Sequence, residues 1–257
     1  MRKHEKASRR AHRTPVAAAV AVTTLGSAVA LAQEHVLEEV IVTAERRAVS
    51  LQDVPISATV LSGDMLASQG IDNIIEIQQV APSVAINTYN RSTFINIRGV
   101  GIAQSAPTSS PGVAYYVDGV FIPHEQFIAQ SFFDIESIEV LRGPQGTLTG
   151  QNSTCGAIYV RTPAPTTDRV YGSIDQTIAD YDWYRTVAAA NLPLTDKLAM
   201  RVSGIYDSRG SFTRNIGPSE SEPGSGEDRA LRVALRYQPT DAATFDLRYE
   251  YFKRETD

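Results

Sequence analysis

The sequence predicts an α+β domain over residues 51–165, followed over residues 166–257 by antiparallel strands of a transmembrane β-barrel that the chain leaves incomplete. Three observations carry this. Helix-capping signals and strand-like runs interleave as far as about residue 165. From about Val170 the hydrophobic period falls to two. The connections between the alternating segments are then short at one end and long at the other.

The first 32 residues read as a secretory signal. Arg2, Lys3, Lys6, Arg9, Arg10 and Arg13 stand against one acid, Glu5, ahead of the apolar run Val16–Leu25. Ala30 and Ala32 suit cleavage before Gln33. A core helix would not open on six basic residues, and a transit peptide would be amphipathic. With residues 1–32 removed, 18 basic and 28 acidic residues remain, a formal net charge of −10. That balance argues against nucleic acid as a partner, because phosphate binding requires a basic face. No apolar run of eighteen residues follows the signal, so no transmembrane helix is expected there.

Residues 33–50 are polar and charged around one β-prone run, Val40-Ile41-Val42-Thr43. In the α+β zone, Val54–Leu61 is strand-like, and Ser62-Gly63-Asp64 caps a short helix over Met65–Gln69 that Gly70 ends. Asp72 is placed to cap a second helix over Asn73–Val80, stopped by Pro82. Strand-like runs recur at Ser83–Asn87, Thr93–Arg98, Val113–Asp118, Ile135–Arg142 and Ala157–Arg161. A long loop rich in Ser, Pro and Gly covers Gly99–Gly112. The single cysteine, Cys155, has no disulfide partner and sits in a turn-like run, where a small side chain filling a tight spot is the expected role.

Beyond Val170, five segments of about ten residues alternate. Arg232, Ala234 and Arg236 interleave with Leu231, Val233, Leu235 and Tyr237. Thr244, Asp246, Arg248 and Glu250 interleave with Phe245, Leu247, Tyr249 and Tyr251. Leu198, Met200, Val202 and Tyr206 share a face, and weaker alternation covers Val170–Ile178 and Tyr184–Leu192. The turns Asn191–Lys197 and Gln238–Ala243 are short, and the Ser208–Asp228 loop is long. Alternation alone fits a soluble β-sandwich with one wet face equally well. The signal, the tyrosines near strand ends and the turn asymmetry favour the barrel.

Four motifs then stand in order: Glu38-Glu39-Val40-Ile41-Val42-Thr43-Ala44, Asn96-Ile97-Arg98-Gly99-Val100, Tyr116-Val117-Asp118-Gly119-Val120, and the glycine-dense Asp134–Val160. Together they resemble the TonB box and plug motifs of the TonB-dependent outer-membrane receptors, from about residue 36 to the C-terminus. Cys155 departs from the glycine usual there. The resemblance implies an α+β plug domain seated in a β-barrel, with TonB and outer-membrane lipid as partners. It also implies that Glu39, Val40, Ile41, Val42, Thr43 and Ala44 form the coupling segment, which would add as a strand to the partner's sheet edge. The other reading of that run is a first strand of the plug. Arg98 and Arg142 each precede a glycine at a strand end. The residues alone leave them equally as exposed arginines or as buried ones, and the resemblance implies a lock onto carboxylates of the barrel wall.

By the same resemblance, ligand contacts would come from two apices. Asn87, Tyr89, Asn90 and Arg91 stand on the first; Phe121, His124, Glu125, Gln126 and Phe127 stand on the second. Ordinary polar loop tips are the alternative for any one of them. His124 and Glu125 are too few for a metal site, and no cofactor is implied. No nucleophile elbow or paired catalytic set is evident, so an enzyme is not expected. A signal-transducing receptor would carry an extra domain before the coupling run, and a passive porin would lack both coupling run and plug motifs. An iron–siderophore complex is the solute the resemblance first implies, with cobalamin, haem and carbohydrate as alternatives. Plugged outer-membrane transporters close with about 22 strands, so five would be the start of a longer wall or a truncated, non-transporting fragment.

Overall fold

The structure is a computed structural model and describes residues 41–42, 49–50, 57–89, 92–101, 111–146, 152–213, 216–217 and 223–256. The signal segment 1–32, Glu39, Val40, Thr43 and Ala44 of the coupling run, and Asn90 and Arg91 of the first apex lie outside the described residues. All the described residues belong to one unit, Val40–Asp257.

The chain enters this unit through two short strands, β1 (Ile41–Val42) and β2 (Val49–Ser50), paired antiparallel with Ile41 opposite Ser50. The α+β domain follows. Strand β3 (Ser57–Ser62) runs into helix α1 (Gly63–Ser68). The Ser62 hydroxyl accepts from the Met65 amide at 3.2 Å, so the helix starts at the Ser-Gly-Asp signal, and Gly70 stops it at φ 64°.

The second helix differs from expectation. It is a 3-10 turn over Ile74–Gln79 capped by Asn73, whose side chain accepts from the Ile75 amide at 2.9 Å. Asp72 does not cap it; its carboxylate reaches Arg185 at 3.2 Å. Three residues per turn put Ile74 and Ile77 on one face, and both are fully buried. That burial favours the tighter helix over the expected α-helix.

Strands β4 (Val84–Tyr89), β5 (Ser92–Ile97) and β6 (Val100–Gly101) form an antiparallel sheet. Strands β7 (Val113–Val117), β8 (Val120–Phe121), β9 (Ser137–Arg142) and β10 (Gly156–Arg161) join β3 in a mixed sheet of order β3-β9-β10-β7-β8, parallel only between β7 and β10. The Arg98-Gly99 and Asp118-Gly119 pairs of the two sequence motifs are the tight turns β5–β6 and β7–β8. Both residues of each pair have positive φ: 55° and 76°, then 48° and 82°. That geometry suits two-residue hairpins, and it explains why glycine stands second in each motif.

Isoleucines and valines of the 3-10 turn and of β4, β5, β7, β9 and β10, with Leu61 of β3 and Leu66 of α1, form one core around Ile77, Ile97, Ile138 and Ile158. Cys155 packs half-buried against it; its amide donates to the Gly112 carbonyl at 2.9 Å and its sulfur leaves no room for a larger side chain beside Gly112. Gly63 marks a second close approach. A Cβ there would collide with the backbone carbonyl oxygen of Ile135, which cannot swing aside as a side chain would. Gly63→Ala is therefore expected to destabilise the domain by about 1–3 kcal/mol, read as a lowered denaturation midpoint. An unchanged midpoint would show that the α1 entry is not packed as described.

Five long strands complete the chain: β11 (Tyr171–Ala179), β12 (Trp183–Thr195), β13 (Leu198–Arg209), β14 (Gly226–Thr240) and β15 (Ala243–Thr256). They form an antiparallel meander in sequence order, which leaves an edge of β11 and of β15 unpaired among the described residues. The last four have 12–15 residues, more than the 9–11 that a tilted strand needs to cross a bilayer. One face carries exposed apolar side chains, including Ile174, Leu231, Leu247 and Tyr249. The other face carries arginines and carboxylates and holds the α+β domain. The predicted alternation appears as alternating burial in β12, β13 and β14, whereas β11 is exposed along its whole length.

Candidate functional site

Register sets the site. Because strand pairing is in order, inward-facing residues of neighbouring strands fall into rungs. Arg185, Asp207, Asp228 and Arg254 stand opposite one another across β12, β13, β14 and β15. Past an apolar rung of Val187, Ile205, Ala230 and Phe252 stand Ser203, Arg232 and Glu250, and then Arg201, Ala234 and Arg248. Opposite charges directly across a ladder attract, so the rungs neutralise part of what they bury.

The remaining donors of these arginines point at the α+β domain and converge on one short stretch. Arg185 donates to the Phe132 carbonyl at 2.6 Å and to Asp207 at 3.0 Å. Arg201 grips the Asp134 carboxylate with two bonds, at 2.8 and 2.6 Å. Arg232 donates to the Phe133 and Asp134 carbonyls at 3.1 and 3.3 Å and to Glu250 at 2.7 Å, and it lies 4.2 Å from the centre of the Phe133 ring. Three adjacent strands thus clamp Phe132–Asp134. Asp134 sits at φ 50°, a left-handed conformation that aspartate tolerates better than most residues. Arg201 and Asp134 are each less than a tenth exposed, so their charges must be paired there.

Two further contacts fix the domain to the wall. Asp118, in its hairpin turn, takes the Thr162 amide and hydroxyl at 2.9 and 2.8 Å and faces Arg248 at 3.5 Å. Fully buried Asn191 of β12 accepts from the Thr166 amide and donates to the carbonyls of Thr166 and Arg169, all at 2.9 Å. Asn191 thereby ties the connection between domain and wall to the wall itself.

At the end of the wall that carries the long β13–β14 connection, a cavity of about 630 Å³ lies between domain and wall. Asp72, Ser131, Gln126 and Phe127 line it on the domain side, and Arg209, Asp228 and Arg254 line it on the wall side. Asp228 joins the two sides: it accepts from the Ser131 hydroxyl at 2.6 Å and from Arg254 Nε at 2.6 Å.

Of the residues expected at the apices, Gln126 and Phe127 reach this cavity, with Thr88 and Ser92 of the first apex beside them. Asn87 and Tyr89 are exposed on β4 but do not line it. Phe121 packs instead against Tyr116, at 5.5 Å between ring centres, and Tyr116 stacks on Tyr159 at 4.9 Å. His124 immediately precedes the 3-10 turn Glu125–Phe127 and meets the Phe127 ring edge-on at 6.0 Å, and Glu125 is half-buried in that turn. Among the described residues no group of three or more His, Cys, Asp or Glu side chains is placed to hold a metal ion.

Arg98 and Arg142 meet at Ser83. The Arg98 amide donates to its carbonyl at 2.8 Å, and Arg142 Nε donates to its hydroxyl at 2.5 Å. The other Arg142 donors go to Ser57, at 3.2 Å, and to Thr59. Among the described residues no carboxylate stands within ion-pair distance of either arginine. Burial, and then the neighbouring charge of Arg98, hold the Arg142 pKa below its ordinary value.

The clamp arginines and Asp134, Asp228 and Arg254 were not singled out by the sequence reading. A signal was present: an arginine on the polar face of a strand that closes around a domain requires a buried acceptor.

Comparison with known proteins adds the following. The family model described as "TonB-dependent Receptor Plug Domain" matches residues 50–157. The pesticin receptor of Yersinia pestis is 35% identical over 146 residues, covering 56% of this chain and 21% of that protein. The iron-regulated outer membrane virulence protein of Vibrio cholerae is 28% identical over 240 residues, covering 88% of this chain and 35% of that protein. The crystal structure of the ferric yersiniabactin uptake receptor of Yersinia pestis superimposes with a TM-score of 0.66 at 30% identity, over 72% of this chain and 29% of that one. The chain therefore spans about a fifth to a third of the length of these relatives.

Proposed function

We propose that this chain, which carries the plug domain of the TonB-dependent receptors, is the N-terminal part of an outer-membrane receptor that takes up a scarce solute, an iron–siderophore complex, by an energised step. The carrying observation is the placement of the plug. It is bound to the polar face of an antiparallel wall by buried ion pairs, and it leaves a cavity at the end that bears the long loop. Long loops mark the outer side of such walls, so the cavity faces the solute. The exposed apolar face of the wall faces lipid. The iron reading rests on the relatives, whose names describe a pesticin receptor, an iron-regulated outer membrane protein and a ferric yersiniabactin uptake receptor.

Within this reading, Glu39–Ala44 is the segment that TonB captures, and it is exported behind a signal cleaved after Ala32. Arg98 and Arg142 complete their lock on carboxylates of further wall strands. Support for the lock is electrostatic: a half-buried guanidinium held by three hydroxyls beside a second arginine gains from any carboxylate brought to it. Gln126 and Phe127 contact the solute, and chemistry on the solute is not part of the function.

The test is a deletion of the gene in its host, followed by growth and labelled-iron accumulation under iron limitation with and without carbohydrate supply. Iron-dependent induction and lost accumulation of a ferric siderophore are expected. Induction by carbohydrate with iron accumulation intact would sink the iron reading.

A further inference from the structure

We infer that Arg209, held over the Trp183 ring at the cavity mouth, is an anion-accepting group that selects solutes bearing an acidic oxygen. The inference rests on the uptake reading above and names the chemical class that the cavity takes.

The argument begins with the charges that line the cavity. Its four carboxylates are all engaged. Asp72 and Asp207 share Arg185, at 3.2 and 3.0 Å. Glu227 is paired with Arg229, and Asp228 with Arg254. Arg254 is thereby committed to Asp228 through two of its nitrogens. Arg209 differs from every other charged group of the lining, because among the described residues no carboxylate lies within ion-pair distance of it. Its nearest acidic neighbour in sequence, Asp207, is engaged at both oxygens: one accepts from Trp183 Nε1 at 2.9 Å and the other from Arg185.

Arg209 is nonetheless oriented. Its guanidinium carbon lies 4.2 Å from the centre of the Trp183 ring. The bond to Asp207 fixes the indole in turn. A cation on an indole face keeps its N–H donors in the guanidinium plane, free at the edge. Those donors form a fork whose geometry matches a carboxylate or a pair of adjacent phenolate oxygens. The strand register agrees: Arg209 continues the inward series Arg201, Ser203, Ile205, Asp207 at the last position of β13, where the wall opens into the long connection. An entering solute therefore meets an exposed, preoriented cation before it reaches the ion-paired floor. The four carboxylates of the lining are held by three arginines, Arg185, Arg229 and Arg254, so among the described residues Arg209 is the lining cation without a carboxylate of its own, and recognition of an anion falls to this side chain.

The test uses the complete receptor bearing this chain, in outer membranes, with three ferric probes. Two are anionic, iron(III) citrate and an iron(III) tris-catecholate, and the third is a neutral iron(III) trihydroxamate. The wild type is expected to bind at least one anionic probe in preference to the neutral one. Arg209→Ala should weaken that binding by about tenfold or more, the scale of a lost hydrogen bond to a charged group. Arg209→Lys, which keeps the charge and loses the fork, should fall between them and shows that the variants assemble. Binding of the neutral probe alone, or wild-type affinity of Arg209→Ala for an anionic probe, overturns this inference and leaves the iron reading standing. Failure of the wild type to bind any ferric probe overturns both.

Discussion

In the complete receptor, Ile41→Pro is expected to abolish energised uptake while leaving solute binding at the cell surface nearly intact. Ile41 pairs with Ser50 in a two-stranded unit only two residues long on each side. An isolated two-stranded pair is marginally stable in water. It can therefore give way, or use the open edge of β1, when a partner's sheet edge offers a longer ladder. Proline removes a backbone donor and restricts the residue before it, so it disrupts either route. The cavity residues begin at Asp72 and belong to other elements, so external binding should survive. Val42→Ala should be milder, because it keeps the donor. The measurement is paired: equilibrium binding to whole cells, and energy-dependent accumulation. Wild-type accumulation by Ile41→Pro would remove the coupling role from residues 39–44. Loss of binding together with uptake would make them a structural strand of the plug.

Asp134→Asn is expected to cost about 3 kcal/mol of unfolding free energy, because it leaves the buried Arg201 charge without its counter-charge. Asparagine is the informative replacement. It keeps the shape and tolerates the left-handed backbone at φ 50°, so charge is the variable changed. The comparison is Asp246→Asn. Asp246 is also gripped by two bonds, from Arg236 at 2.7 and 2.9 Å, but both side chains are more than a quarter exposed. Solvent screens that pair, and its loss should cost less than about 1 kcal/mol. Chemical denaturation of the two variants against the wild type reads the difference. Equal effects would show that burial of the Arg201–Asp134 pair does not govern how the plug is held. Faster exchange of the amides at Phe132–Asp134 in Asp134→Asn alone would locate the damage at the clamp.

Several features of this architecture are local, and these were legible in the sequence. Ser62 ahead of α1 and Gly70 behind it mark a helix by capping chemistry that needs no distant residue. Arg98 and Asp118 were read as strand ends, but the hairpins they turn were not, and strand β6 (Val100–Gly101) falls inside the stretch Gly99–Gly112 read as one long loop. The alternation in β13, β14 and β15 follows from the two-residue strand period, so the face of each arginine was readable even though its partner was not. The 3-10 turn at Ile74–Gln79 was read as an α-helix because propensity does not register how tightly Ile74 and Ile77 must be buried.

Other features were decided by the fold. Arg201 and Asp134 are 67 residues apart, and Arg232 meets the Phe133 carbonyl across 99. No spacing rule links such positions; they meet only when strand register and plug orientation are set together. The same holds for the cavity, where Ser131 finds Asp228 and Arg209 finds Trp183. By itself the sequence determined the succession of an α+β plug and alternating antiparallel strands, because each depends on neighbours within a few residues. Only the tertiary structure decided which charges of the described residues are paired, because electrostatic pairing depends on distance in space, and that is set by packing.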